Sequence, residues 1–229
     1  MLYDEKAVKD NIRNREGRRV FFLGKGDRLT PSARDWLTRE RIPVLSGEDA
    51  RIAQYKLLGG GFCGEKPEHM THLHGDVLVS KTHPRIAFRG AVDTLEAELI
   101  LCKLKTGLAP VQEILDLARR LIRCEVLDEP VGEFTLDGLT EAQQRKMSHF
   151  PQEHFGMAHF MPQSEDGERI AWLNRARCAV RTAELAACRA FEDRDGALTR
   201  ADIVQALNRM SSMLYILMLR EKADAYMKG

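Results

Sequence analysis

Three separated segments of the chain carry side chains that could hold a polyphosphate. The first runs from Lys81 to Asp93 and places three cations, a proline and a glycine ahead of a Leu-rich stretch. Cations neutralise phosphate charge, and the free N–H groups of a helix start orient it. The segment predicts a basic loop followed by a helix from Gly90. By itself it could equally be a solvated loop.

The second segment is a stripe of charge on a predicted helix. Arg177, Arg181 and Glu184 stand at i, i+4 and i+7, which places them on one face. On an arbitrary helix such a stripe is usually a surface ion-pair ladder. Here Ala and Val flank it, so we interpret it as an arginine fork held by a glutamate, an arrangement suited to phosphate.

The third segment is a polar stripe in an otherwise apolar helix, formed by Asn208, Ser212 and Tyr215. Polar residues at the solvent edge of a helix would explain it equally well. If the stripe is buried, its amide and hydroxyl groups need partners, and the ribose or base of a nucleotide could supply them.

The composition limits the classes of protein to which the chain can belong. Its 229 residues allow one large domain, or one domain with an appendage. Charged residues make up 30% but nearly cancel, to a formal net charge of +1, which argues against a nucleic-acid partner. There is no apolar signal core and no run long enough to span a bilayer. We expect a cytoplasmic protein without a membrane partner.

The elements that must position these segments fall into two parts. Residues 1–60 predict a small α/β appendage, with strands at 20–23 and 42–45 and a helix that starts at Thr30 and Pro31. Residues 61–229 predict a helical domain. The predicted fold class is therefore mainly α: a four- or five-helix bundle with a small N-terminal α/β appendage.

Helix signals subdivide the second part. Leu95, Leu99, Leu101 and Leu104 predict the buried side of a first long helix, ended by Gly107. A second helix begins at Pro110, and residues 128–164 form a long connection with a short helix near 141–146. Two long helices close the chain, over about 165–191 and from Thr199 to about 227. Thr199 and Asp202 predict a capping box at the last helix start.

Taken in order, the motifs resemble one enzyme family. The patterns are Lys-x-His-Pro-Arg-Ile…Gly-x-x-Asp from Lys81, Arg-x-x-x-Arg-x-Ala-Glu from Arg177, and Leu-Asn-Arg-x-Ser from Leu207. They resemble the ATP:corrinoid adenosyltransferases of the propanediol-utilisation superfamily. The segments Thr-Pro-Ser-Ala-Arg from Thr30, Lys-Pro at 66–67, Thr-His-Leu at 71–73 and Ser-His at 148–149 resemble the branch found in ethanolamine utilisation.

The resemblance implies transfer of the 5′-deoxyadenosyl group of ATP to cob(I)alamin, with release of polyphosphate, for ethanolamine catabolism. It implies Mg²⁺, a reductant or reductase that converts cob(II)alamin to cob(I)alamin, and trimers with sites between subunits. Asp93 would lie at that interface. The catalytic residues would be Arg181, Arg177 and Lys81. The ATP-binding residues would be Lys81, Arg85, Thr71, Gly75, Arg181, Glu184 and Asn208, with the phosphate loop at 71–76.

The resemblance also implies a corrinoid site in the connection. In related enzymes an apolar side chain displaces the lower cobalt ligand, and here the candidates are Phe150, Phe155 and Phe160, with His149 beside them. The three rings could instead form a satellite core under a long loop.

A further metal is suggested by the segment upstream of Lys81. Some ethanolamine-type relatives carry a Cys-Cys-x-x-Cys cluster there, of which this chain keeps Cys63. Together with His69, His72 and His74 it could form a mixed thiolate–imidazole site for a divalent metal. Exposed or phosphate-facing histidines are the alternative. The other four of the five cysteines are interpreted as core residues of a reduced protein.

Two other functions remain open from the residues. The chain could be a cobalamin-binding or delivery module of the same fold without turnover. It could also be a helical scaffold of a bacterial microcompartment, and a location in or near such a compartment fits the ethanolamine resemblance.

Overall fold

The computed structural model describes residues 1–15, 18–24, 26–46 and 55–228. It divides into two compact units, Met1–Lys81 and Thr82–Gly229. The first combines short strands with helices and the second is mainly helical, which confirms the predicted fold class. The sequence predicts the boundary at residue 60, which would cut through a sheet. The units instead divide after that sheet.

In its described residues, the first unit contains short strands and two helices. Its strands are β1 (Leu2–Tyr3), β2 (Arg13–Arg15), β3 (Arg18–Leu23), β4 (Arg28–Leu29), β5 (Val44–Ser46), β6 (Tyr55–Leu57), β7 (Phe62–Cys63), β8 (Met70–His74) and β9 (Val77–Ser80), and its helices are α1 (Glu5–Asp10) and α2 (Pro31–Arg39). One sheet has the order β2-β3-β5, another the order β7-β6-β9-β8, and β1 pairs with β4. The strands predicted at 20–23 and 42–45 are β3 and β5.

Local rules explain how α2 begins and what it buries. The Thr30 hydroxyl accepts a hydrogen bond from the Ala33 N–H at 3.3 Å, and Pro31 occupies the first helical position, as predicted. The helix then buries Ala33 and Leu37 against Phe21 of β3, which gives this unit a small core of its own.

The second unit, described over residues 82–228, is a bundle that has four long helices and two shorter ones in this range. They are α3 (Pro84–Thr106), α4 (Pro110–Leu127), α5 (Glu141–His149), α6 (Pro151–Phe155), α7 (Glu168–Phe191) and α8 (Ala201–Lys228), with a hairpin of β10 (Thr135–Leu136) and β11 (Leu139–Thr140). Helix α7 packs between α3 and α8, α4 contacts α3 and α8, and α5 lies on α8.

Helix α3 begins earlier than the sequence predicts. Its first residue is Pro84, and the His83 side chain caps it by accepting a hydrogen bond from the Arg85 N–H at 3.2 Å. Proline suits a first helical turn because its missing N–H has no acceptor there in any case. The predicted basic loop up to Gly90 is therefore wrong, since Arg85 and Arg89 lie on the helix.

The interior of the bundle corrects two of the predicted core leucines. Leu95 and Leu99 are buried, but Leu101 is 40% exposed and Leu104 76%. The inward face of α3 follows the helical repeat through Phe88, Val92, Leu95, Leu99 and Cys102, and the two exposed leucines lie off that repeat. Gly107, in the left-handed region with φ of 68°, ends the helix as predicted.

The last helix starts at Ala201 without the predicted capping box. The Asp202 carboxylate accepts a hydrogen bond from the Val131 N–H at 3.0 Å and pairs with Arg200, so it is not available to the helix start. The Thr199 hydroxyl instead donates to the Phe191 carbonyl at 2.9 Å and closes the turn from α7.

The cysteines follow the prediction only in part. All five are free thiols; Cys102 and Cys124 are buried and Cys188 is half-buried, whereas Cys178 on α7 is exposed. No helix in the described part of the chain combines the length and apolar composition that crossing a membrane requires.

Candidate functional site

A cavity of about 640 Å³ lies in the second unit between α7, α8 and the connection that precedes α7. Each of the two helices contributes one stripe, and the connection covers them. The cavity is lined by Asn174, Arg177, Cys178 and Arg181 of α7, by Asn208, Ser211, Ser212 and Tyr215 of α8, and by Ser148, His149, His159, Phe160, Met161 and Pro162.

Helical periodicity explains why these side chains converge. Both the α7 and the α8 stripes have the spacing i, i+3, i+4, i+7, which is one face of a helix. The sequence predicted two members of the first stripe and three of the second. It missed Asn174, Cys178 and Ser211. Completing the i, i+3, i+4, i+7 pattern finds Cys178 and Ser211, and extending it one turn back from Arg177 finds Asn174.

The two arginines that line the cavity have different surroundings. The guanidinium carbon of Arg177 lies 5.4 Å from the ring centroid of Tyr215, which is a cation–π contact at the edge of the cavity. Arg181 is exposed and makes no ion pair or hydrogen bond with any residue that the structure describes. No carboxylate is among the lining residues. The cavity therefore presents positive charge that an anionic ligand could neutralise.

Glu184 does not hold the arginine fork as predicted. Its Oε1 accepts a hydrogen bond from Nδ2 of Asn208 at 3.0 Å, which links α7 to α8. The Asn208 Oδ1 accepts from Arg209, whose buried position lowers the pKa of its guanidinium. Because both ends of the amide are engaged, its orientation is fixed before any ligand binds. One N–H of Asn208 is left for a ligand.

The predicted corrinoid residues separate into two groups. His149 and Phe160 line the cavity. Phe155 packs against the helical core and lines a different recess with Met157, while Phe150 is 52% exposed. The cavity thus combines a cationic side with an apolar, aromatic side.

Arg85, predicted to bind ATP, has a partner inside the bundle. Its Nε donates to Glu125 at 2.5 Å, and Arg89 donates to the second oxygen of the same carboxylate at 2.7 Å. Glu125 is fully buried, and a buried carboxylate left unpaired would be strongly destabilising. Binding phosphate would draw Arg85 away from that ion pair. Asp93, predicted at a subunit interface, is exposed on α3.

The other predicted ATP contacts lie in the first unit. Thr71 is on β8 and Gly75 is in the turn to β9, with φ of 49°, so the predicted phosphate loop at 71–76 has the structure of a β-hairpin. Lys81 follows β9, and its Nζ lies 3.7 Å from Glu68 with both side chains exposed. Contacts of these residues with ATP stay predictions.

Sheet topology separates the predicted metal ligands. Cys63 is on β7 and His72 and His74 are on β8, at opposite edges of the β7-β6-β9-β8 sheet. Two intervening strands put the edges roughly 14 Å apart, against about 2.0–2.3 Å for a zinc–ligand bond. The described residues contain no group of three or more His, Cys, Asp or Glu side chains that could hold a metal ion. The predicted mixed site of Cys63, His69, His72 and His74 is therefore wrong for the described structure.

Comparison with known proteins decides the family. Residues 62–221, which include every residue of the cavity, match the model of the cobalamin adenosyltransferases. The chain belongs to the cobalamin adenosyltransferase family. Within this family, similar proteins are the corrinoid adenosyltransferase EutT of Salmonella typhimurium strain LT2, 34% identical over 158 residues, and that of Escherichia coli strain K12, 32% identical over 158 residues.

The match to these adenosyltransferases covers 68% of this chain and 59% of each relative. The chain thus spans a little under two thirds of the length of the curated relatives it matches.

Proposed function

We propose that the protein transfers the 5′-deoxyadenosyl group of ATP to cob(I)alamin and acts as a corrinoid adenosyltransferase. One observation carries the proposal: a single cavity, within the family match, joins the cations Arg177 and Arg181 to the aromatic wall at Phe160. The two sides suit the two substrates, since ATP brings a polyphosphate and the corrinoid brings a large apolar ring.

The reaction needs no general base. Cobalt(I) supplies an electron pair to the C5′ carbon of ATP, a Co–C bond forms, and the C5′–O bond breaks with its electrons passing to the polyphosphate. The protein would position the substrates and stabilise the leaving group. Arg181 and Arg177 would neutralise the negative charge of the departing polyphosphate, and the pre-oriented amide of Asn208 would hold the nucleoside. Phe160 and His149 would face the corrinoid, where an apolar ring can displace the lower ligand.

The residues that line the cavity include no carboxylate that could bind Mg²⁺. Glu184, three residues after Arg181 on α7, already accepts a hydrogen bond from Asn208. Hard cations prefer oxygen ligands, and in nucleotide sites Mg²⁺ is commonly held by phosphate oxygens. The lining residues therefore do not form a metal site of their own, and any Mg²⁺ would arrive with ATP.

The wider setting belongs to the same proposal. The similarity to the EutT adenosyltransferases and the residue motifs support a role in ethanolamine utilisation, with a separate reductant for cob(II)alamin. A homotrimer with sites between subunits would place Asp93 of one subunit near Arg177 or Arg181 of the next. Lys81 would then add a cation for the triphosphate.

The decisive test is anaerobic incubation of the protein with ATP, Mg²⁺ and chemically reduced cobalamin, followed by the visible spectrum. We expect conversion to the alkyl-cobalt spectrum at a rate above the protein-free control. Binding of cobalamin without conversion would indicate a delivery module instead. The absence of both binding and conversion would reject both functions and favour a scaffold.

A second test asks whether ATP occupies this cavity. Cys178 lines it, whereas Cys188 lies farther along the same helix and outside it. ATP should slow alkylation of Cys178 by iodoacetamide, read by peptide mass spectrometry, and leave Cys188 unchanged. Equal labelling of Cys178 with and without ATP would place the nucleotide elsewhere.

A further inference from the structure

The hydroxyl group of Tyr215 holds the segment that covers the cavity, which includes residues 159–162. Nε2 of His159 lies 3.2 Å from the His149 carbonyl, which can only accept, so Nε2 carries a proton. The Tyr215 hydroxyl is hydrogen-bonded to the His159 Nδ1 at 3.2 Å, accepts from the Phe160 N–H at 3.1 Å, and lies 3.5 Å from the Phe160 carbonyl oxygen. One hydroxyl therefore fixes two consecutive residues of the covering segment.

The ring of Tyr215 makes a second set of contacts. His159 and Phe160 both stack on it, with centroid distances of 5.8 and 5.9 Å and interplanar angles of 16° and 26°. The Arg177 guanidinium lies 5.4 Å from the same ring. Only 9% of Tyr215 is exposed. The ring thus lies between the cationic and the aromatic side of the cavity.

Lys222, two turns farther along α8, completes the attachment of the segment. Its Nζ lies 4.3 Å from the ring centroid of Phe160 and 2.7 Å from Oδ1 of Asp166. Between α6 and the short 3-10 turn Ser164–Asp166, the covering segment has no regular secondary structure. Without hydrogen bonds inside a helix or sheet, its position depends on such side-chain anchors.

We propose that Tyr215 is a positioning residue that acts separately on the two substrates. Its hydroxyl sets the position of Phe160 and so governs the corrinoid side, while its ring orients Arg177 and so governs the nucleotide side. The inference rests on the proposed adenosyltransferase function. It predicts that removing the hydroxyl alone affects one substrate, and that removing the ring affects both.

The test compares Tyr215→Phe, which removes only the hydroxyl, with Tyr215→Leu, which also removes the ring. In Tyr215→Phe we expect hydrogen exchange of the Phe160 amide to accelerate by about fivefold or more, the effect of losing one hydrogen bond. The KM for cobalamin should rise by a similar factor, with the KM for ATP within about twofold of wild type. In Tyr215→Leu both KM values should rise. Tyr3→Phe, a hydroxyl deletion in the first unit, is the matched control and should change neither.

Several results would overturn the inference. Unchanged exchange at Phe160 in Tyr215→Phe would show that the hydroxyl does not hold the segment. Faster exchange with an unchanged KM for cobalamin, or an equal rise in both KM values, would show a purely structural role. None of these results would affect the proposed function, because wild type would still turn over. If wild type neither binds nor converts cobalamin, the proposed function and the substrate roles of Tyr215 are both rejected. The exchange data would then still show whether the hydroxyl holds the Phe160 amide.

Discussion

At the scale of single residues, arginine serves two separate purposes in this protein. Arg85 and Arg89 neutralise the buried Glu125 and belong to the interior of the bundle. Arg181 has no partner among the described residues and faces the cavity. A side chain that stabilises nothing in the folded protein can be removed without loss of stability, so its function can be measured separately.

Replacing Arg181 with Ala should therefore reduce turnover and leave stability nearly unchanged. We expect kcat/KM to fall by about 100-fold or more, as for the loss of a charged group that stabilises a leaving polyphosphate. The free energy of unfolding should change by less than about 0.5 kcal/mol, as for other surface substitutions. Steady-state kinetics and urea unfolding measure the two effects.

Arg189→Ala is the matched control, because Arg189 is exposed on the same helix but outside the cavity. It should match wild type in both measurements. Equal activity of the two variants would contradict the role proposed for Arg181.

At the scale of secondary-structure elements, local chemistry at the ends of α3 sets its length. His83 and Pro84 begin the helix and Gly107 ends it in the left-handed conformation. Two glycines of this element have opposite backbone requirements, since Gly90 lies inside the helix and Gly107 has φ of 68°. An added Cβ meets no atom within 4 Å at either position, so the backbone alone decides the effect.

Gly107→Ala should destabilise the protein by about 1 kcal/mol, because an L-residue is strained at positive φ. Gly90→Ala should stabilise it by roughly 0.5–1 kcal/mol, because alanine loses less backbone entropy in a helix. Urea unfolding of the two variants measures both changes. Effects of the same sign would show that crowding, and not backbone conformation, controls these positions.

The His83 cap should make the start of α3 sensitive to pH. Burial, followed by the charges of Arg85 and Arg89, lowers the pKa of His83 below its ordinary value of 6.5. Between the folded-state and unfolded-state pKa the unfolded chain binds more protons, so stability falls as pH decreases through this window. The contribution is complete above pH 6.5 and is lost below the folded-state pKa.

His83→Asn keeps a good N-cap but cannot titrate. Between about pH 7.5 and 5.5 it should lose less unfolding free energy than wild type, measured by urea unfolding at each pH. All other histidines are common to both proteins, so the difference isolates His83. Parallel pH profiles would show that the cap does not sense protonation.

At the scale of the whole molecule, the family match and the compact units do not coincide. The match covers 62–221, whereas the units divide after Lys81. The cavity lies within the second unit, and Lys81, Thr71 and Gly75 lie within the first. A site shared between subunits would give Asp93, exposed on α3, a function that the single chain does not show.

A mixing experiment tests such a shared site. Asp93→Ala and Arg181→Ala should each be nearly inactive alone. Mixed trimers should regain part of the wild-type activity, because one interface then pairs an intact Asp93 with an intact Arg181 from the neighbour. The measurement is turnover after the two variants are unfolded, mixed and refolded together, with each variant refolded alone as the control. No recovery from a mixture that forms trimers would contradict a site built from Asp93 and Arg181 of different subunits.

The sequence by itself determined the features that depend on near neighbours. The cap at Thr30 and Pro31, the stop at Gly107 and the cavity stripes all follow from residues a few positions apart. The motifs around Arg177 and Asn208 also predicted the family, since a family motif is itself a local pattern.

Only the tertiary structure decided which distant groups become partners. Glu184 bonds to Asn208, 24 residues away, Arg85 to Glu125, 40 residues away, and Phe160 to Tyr215, 55 residues away. Strand order likewise places Cys63 at the opposite edge of the sheet from the histidines that follow it closely in the chain. Helix caps and stripes depend on short-range geometry that any helix provides, whereas burial and pairing depend on how the elements pack.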